Sequence, residues 1–385
     1  MSKMYIHIQP KVDGVVAKVS SNGGVGSSVW WRCCDDATQD VASKCDTVMI
    51  GLLPLYISCE KLVVTIEESN SCNINFSKER FQQLLKLIGY WFRVEPLSVF
   101  NIMGIEFSPD SKIRDDVESV AFGMSMGVDS IASYELMKNY KLFFTLFNVG
   151  AFGEFSDSRT LHKWERASTS LKKVSCDFDT PILRVDSNLS DIYTKHSIGF
   201  QRSHILRNVS CSYLYSDRYE VYGYSSTYPY KDLWKGFDDI SYIEPVLIPL
   251  LSTALVQIKN VGEGLSRLEK MELIKDSILI EYLDICVNPN RHNLEKINCG
   301  RCWKCSRAKL NLAILNRHDI LDKIFVNPVC GLRDKTVVRA SKMYGRPADV
   351  DLLRALNLER SISIALLAIP TFIFWKMKDA LKQWL

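Results

Sequence analysis

Two clusters in the chain have residue types and spacing suited to chemistry. The first is Ser125-Met126-Gly127-Val128-Asp129-Ser130. Gly127 lets a backbone turn approach an anion closely. A helix beginning at this turn aims its free N–H groups, Val128 among them, at a phosphate. Ser125 and Ser130 add hydroxyl donors, and Asp129 can hold Mg²⁺ or cap the helix. Neither GxxxxGK[ST] nor GxGxxG is present here, which excludes a Walker loop and a dinucleotide fingerprint. The second cluster is Cys286, Cys299, Cys302 and Cys305, spaced C-x12-C-x2-C-x2-C. Four soft thiolates select Zn²⁺ as a structural ion and leave no open position for a catalytic water. An iron–sulfur cluster is the alternative for the same ligands. Gly300 relieves the backbone in the tight turn, and Arg301, Lys304 and Arg307 offset the charge of a zinc tetrathiolate.

The elements that must position these residues follow from periodicity. Val117 to Met124 is an apolar run before the loop, Ile131 to Tyr140 has helical spacing, and Lys141 to Val149 is strand-like. Strand, loop, helix and strand make one βαβ unit with parallel strands. Further strands are expected at Ile182–Val185 and Glu220–Gly223, with a helix around His204 to Tyr215. Residues 116–310 therefore read as a doubly wound, mostly parallel α/β domain carrying a four-cysteine knuckle over 286–305. Residues 1–115 read as a β-rich region, from the Tyr5–Ile8, Val15–Val19 and Lys61–Ile66 runs, with a helix over Phe81 to Phe92. Residues 311–385 read as helical.

Together, the loop near the start of the α/β domain and the cysteines at its end resemble the 7-cyano-7-deazaguanine synthase family (QueC). That family belongs to the PP-loop superfamily of N-type ATP pyrophosphatases, an adenine nucleotide alpha hydrolase-like fold. Ser125, Gly127, Asp129 and Ser130 match its SGGxDS loop, and Met126 stands where its first glycine usually is. Phe147-Asn148-Val149 ends the second strand, where the family's adenine and ribose site begins. Arg207-Asn208 is similar to the family's Arg-Asn pair, and Ser266–Lys270 to its lysine-containing segment. The resemblance covers about residues 116–310. It implies an enzyme that uses Mg²⁺ and ATP, releases AMP and pyrophosphate, and activates a carboxylate by adenylation, that of a 7-deazapurine, for amide or nitrile formation or conjugation. It implies Arg267 and Lys270 at the α-phosphate, with Ser125, Asp129 and Ser130 in the same catalytic group. Tyr224 and Ser225 follow a strand at the end where α/β ligands bind, which makes them substrate candidates. QueC-like proteins also occur in bacterial antiviral defence, and a chain extended at both ends fits that setting. A nucleotide-binding scaffold without turnover and a PP-loop tRNA-modifying enzyme stay open as alternatives.

Composition narrows the rest. With 47% hydrophobic and 24% charged residues, the chain is globular rather than disordered. A net charge of +4 without a long block of like charge argues against nucleic acid as partner. The first residues lack an apolar signal region, so a cytoplasmic protein is expected. The 12 cysteines then read as reduced thiols or metal ligands. Ile362 to Trp375 is apolar but short and contains Pro370, so a buried terminal helix is expected rather than a membrane span. His196 and His204 read as structural or surface residues. The regions outside 116–310 are candidate surfaces for a protein partner, and a homodimer is compatible with the sequence.

Overall fold

The computed structural model describes residues 2–384 apart from 22, 23, 25, 36, 68, 70, 110–116, 289–294, 344–349 and 359, with side chains as far as Lys378. The expected boundary at 115/116 and part of the C-x12-C segment lie outside the described residues. The chain forms two compact units. The first comprises 1–124, 137–226 and 233–261, and the second 125–136, 227–232 and 262–385. These units run across the three stretches read from the sequence.

Among the described residues, the first unit is built on twelve strands. They are β1 (Lys3–Lys11), β2 (Gly14–Ser21), β3 (Ser27–Cys33), β4 (Lys61–Ile66), β5 (Cys72–Ile74), β6 (Ile102–Met103), β7 (Ile105–Phe107), β8 (Ser119–Gly123), β9 (Lys141–Asn148), β10 (Ile182–Ser187), β11 (Val221–Ser225) and β12 (Gln257–Val261). Ten form one sheet in the order β12-β11-β8-β9-β10-β3-β2-β1-β4-β6, while β5 and β7 pair separately. The sheet is mostly parallel. Its named strands pair antiparallel at β10 with β3, β3 with β2, and β2 with β1. The pairing of β3 with β10 joins the N-terminal strands to the parallel set in one sheet.

The sequence of each strand explains its place. β8 and β9 are nearly continuous apolar runs and are buried along most of their length, as strands covered on both faces must be. β4 alternates buried and half-buried residues, the period of a strand with one covered face. From β8 the chain moves outward through β9 to β10, then returns to place β11 and β12 on the other side. The order reverses at β8, and such reversals are where open parallel sheets form ligand crevices. The helix Lys78–Phe92 appears as expected, with Ser77 capping its start.

The second unit is helical and includes Arg267–Ile274, Trp303–Ile314, Leu332–Met343 and Ile362–Trp384, with all but the last residue of the helix Val128–Met137. Buried Lys309 crosses its interior to Asp334, 3.1 Å away, and donates to the Val329 carbonyl at 2.8 Å.

Two expectations are corrected. The terminal apolar segment is a helix that continues through Pro370, and its apolar side chains are largely not buried. Ile362, Leu366, Phe374 and Met377 are each at least 60% exposed, while Ile364 and Ala368 face inward. The helix is amphipathic about its inward residues, so apolar composition alone overstated its burial. Cys45 and Cys72, expected as reduced thiols, are joined as a disulfide with Cα atoms 6.7 Å apart. Their side chains meet because β5 packs on the helix Val41–Gly51, a contact 27 residues apart in sequence carries no local signal for. Among the described residues, no helix is long and apolar enough to cross a membrane.

Candidate functional site

The loop 125–127 follows directly from the end of β8 and opens the helix Val128–Met137. Its hydroxyls and backbone tie the turn together. Ser125 Oγ lies 3.4 Å from both Ser130 Oγ and the Gly127 N–H, and Ser130 Oγ donates to the Gly127 carbonyl at 3.0 Å. Ser125 is exposed, whereas Ser130 and Val128 are buried, so Val128 offers the loop its backbone and the core its side chain. Met126 is left-handed, with φ 59°. This is the backbone conformation that a glycine adopts freely and that costs an L-residue about 1–2 kcal/mol. Its carbonyl accepts from the Asp284 N–H at 2.8 Å, and its side chain is buried, which holds the strained turn in place.

Asp129 is the charged centre of the second unit. Arg267 lies 2.8 Å from its Oδ2 and Lys270 3.0 Å from its Oδ1. Those cations share the helix Arg267–Ile274, which starts in a capping box between Ser266 and Glu269. The spacing i, i+3 puts both on one helix face. Burial works against the Asp129 carboxylate, but the two cations outweigh it and hold its pKa below the usual range. Lys270 is only 1% exposed, and the Asp129 carboxylate gives it a counter-ion in that buried place. Lys304 also acts on this centre. Burial lowers its pKa, repulsion from Arg307 and Arg267 adds to that, and the Asp129 and Cys302 charges oppose it. Arg267 and Lys270 thus pair with one carboxylate while Lys304 adds its charge nearby, and this net positive charge can receive an anion.

The cysteine cluster is assembled as the spacing predicts. The four Sγ atoms all lie within 4.8 Å of one another, and Cys299 and Cys305 are 3.9 Å apart. A zinc tetrahedron with bonds of about 2.3 Å has edges of about 3.8 Å, so the donor set fits that ion. Cys299 Sγ accepts from the backbone N–H groups of Arg301 and Cys302, each at 3.3 Å, and Cys286 Sγ from that of Asn288 at 3.5 Å. Hydrogen bonds from Cys286 and Cys305 pull the Cys302 thiol well below its usual value. Gly300 has φ 70°, and a Cβ there would stand 2.2 Å from the Asn327 carbonyl oxygen. A residue the sequence did not flag secures the surroundings. Buried Asn298 donates to the Leu283 carbonyl at 2.7 Å and accepts from the Ile285 N–H at 3.0 Å.

The remaining candidates lie in the first unit. Phe147 stacks near Tyr222, with centroids 6.1 Å apart, and Asn148 donates to Asp186 at 2.9 Å. Arg207 is buried, and its guanidinium bonds Ser203 Oγ at 2.8 Å, the Val149 carbonyl at 3.1 Å and the Ile198 carbonyl at 3.0 Å. It also stacks 4.2 Å from the Tyr193 ring. Every arm of the guanidinium is engaged inside the protein, so Arg207 anchors the end of β9. Asn208 donates to the His204 carbonyl at 2.8 Å. Ser225 closes β11 in register with Val261.

Tyr224 belongs to a group that the sequence left unassembled. Its phenol lies 2.6 Å from His204 Nδ1, and His204 Nε2 lies 3.2 Å from Asp239 Oδ1 and from Ser241 Oγ. Burial, reinforced by the Glu244 charge, pushes the Tyr224 phenol well up, so it keeps its proton. Burial opposes the Asp239 carboxylate, but His204 and Ser241 bring its pKa below the usual value. Asp239 is 35 residues from His204, so only its place one residue before a short helical turn marked it.

No family model matches the chain, and no curated protein matches it.

Proposed function

We propose that this chain is a zinc-stabilised, QueC-like enzyme that activates a carboxylate with ATP. The observation that carries the reading is the Asp129 centre. A hydroxyl-lined loop leaves the strand where the sheet order reverses, and its carboxylate is held by Arg267 and Lys270 from a second helix. In this reading an oxygen of the substrate's carboxylate attacks the α-phosphorus, and the bond from that phosphorus to the bridging oxygen of the β-phosphate breaks, releasing pyrophosphate. An amine then attacks the acyl carbon, AMP leaves, and the amine gives up its proton. Arg267 and Lys270 neutralise charge at the phosphates, and the loop N–H groups and hydroxyls orient the departing pyrophosphate. Asp129, together with phosphate oxygens, would hold Mg²⁺, which supplies Lewis-acid stabilisation of the leaving group. Zn²⁺ on the four cysteines stabilises the knuckle and takes no part in the chemistry. The resemblance suggests a 7-deazapurine carboxylate as substrate, with an amide, a nitrile or a conjugate as product.

The test incubates zinc-loaded protein with Mg-ATP, ammonium and 7-carboxy-7-deazaguanine. AMP, pyrophosphate and a mass change of the base are the expected result. AMP without a modified free base points to a macromolecular acceptor. ATP that binds and is never cleaved, whatever carboxylate and amine are supplied, would sink the reading. Met126 favours a second reading, ATP binding without turnover, because its side chain occupies a left-handed position where the family pattern has glycine. Under that reading Met126→Gly gains AMP release that the parent lacks.

A further inference from the structure

The second unit also contains a groove separate in composition from the Asp129 centre. It has a volume of about 860 Å³ and is bounded by the cysteine knuckle and by the helices Leu332–Met343 and Ile362–Trp384. This is within the range of small-ligand pockets. Two indoles, Trp303 and Trp375, line it together with Arg301, Arg333 and Lys378, and among the described residues no carboxylate lines it. Helical spacing accounts for part of this. Leu367, Thr371, Trp375 and Lys378 follow at intervals of four, four and three residues, so one face of the terminal helix presents them together. Trp303 is braced by Arg307 and Lys304, at 5.1 and 5.6 Å from its ring. Cys299 and Cys302 form another part of the wall. A zinc tetrathiolate carries two negative charges, and the three cations exceed them by one.

Flat indole surfaces beside guanidinium and ammonium groups suit one ligand chemistry, an aromatic ring joined to an anion. We propose that this groove binds a nucleoside phosphate, the base against Trp375 and the phosphate toward Arg333 and Lys378. The nucleoside phosphate can be a free nucleotide or part of a single strand, and the two share the same recognition. The inference does not depend on the loop chemistry proposed above.

Full-length, zinc-loaded protein is titrated with AMP and, separately, with fluorescein-labelled hexathymidylate in Mg²⁺-free buffer, and each titration is repeated with pyrophosphate added as competitor. Binding is followed by tryptophan quenching and by anisotropy. At least one probe is expected to bind, with affinity falling as salt rises. Trp375→Ala should weaken it roughly tenfold, in line with loss of one base–aromatic stack, and Trp375→Phe should retain most of it. The double substitution Arg333→Glu, Lys378→Glu should abolish binding while zinc content stays unchanged. AMP binding alone assigns a free nucleotide, and tighter hexathymidylate binding assigns a strand. The proposal is overturned if neither probe binds at millimolar concentration, if pyrophosphate displaces both, or if the charge-reversed protein binds as the parent does.

Discussion

Asp129 and Lys270 show how one pair ties stability to chemistry. Asp129→Ala leaves the buried Lys270 ammonium without its carboxylate, a change that typically costs about 3–5 kcal/mol. The expected outcome is a lower urea midpoint together with loss of ATP cleavage. Asp129→Asn keeps the shape and should lose cleavage with a smaller stability cost. The acid response has a definite sign. A carboxylate whose folded pKa is depressed stabilises the fold above its unfolded value, near about 3.9, and that contribution is lost as pH falls through the lower folded value. Asp129→Asn should therefore flatten the stability profile below about pH 4, measured by urea titration at stepped pH. Arg207 makes the opposite kind of prediction. Its three internal hydrogen bonds mean that Arg207→Met lowers stability by roughly 3 kcal/mol or more. Nucleotide affinity of the folded fraction should not change, and a specific loss of ATP binding would show that the anchor also touches ligand.

At the scale of elements, the legible parts were those governed by local pattern. The strand–loop–helix–strand passage from β8 to β9 follows from a run of apolar residues, a Ser/Gly turn and helical spacing, all within thirty-odd residues. The knuckle was legible because three of its cysteines lie within seven residues. What stayed hidden depends on contacts between distant segments. β3 and β12 have little to distinguish them until their neighbours β10 and β11 are present. The helix Ser158–Phe178 is polar on average and was missed, although its buried Trp164, Leu171 and Val174 recur at helical spacing. The Tyr224–His204–Asp239 group needed β11, the helix His204–Ser212 and the segment at 239 to converge. Within the knuckle, Gly300→Ala must place a methyl group where the Asn327 carbonyl stands. Zinc retention against a chelator should fall sharply, with thermal stability falling alongside it. Unchanged retention would mean that the turn relaxes at little cost.

At the scale of the molecule, the two units are assembled from interleaved pieces, with crossings at 124/125, 136/137, 226/227, 232/233 and 261/262. The knuckle leans on residues beyond the stretch assigned to it from sequence. Asn298 pairs its backbone with Ile324 and Val326, and Asn327 donates to the Cys299 carbonyl at 2.9 Å. Lys309 likewise relies on Asp334. A chain cut after residue 310 retains all four cysteines but loses these supports. It should hold zinc more weakly than the full chain, as judged by competition with a colorimetric chelator.

The interleaving also orders events during synthesis. Asp129 leaves the ribosome 138 residues before Arg267 and 141 before Lys270, the two partners that complete its centre. Through that interval the nascent chain carries Asp129 without its counter-ions. On the proposed reading, a chain abandoned before residue 270 cannot consume ATP, and translation itself sets when the activity begins.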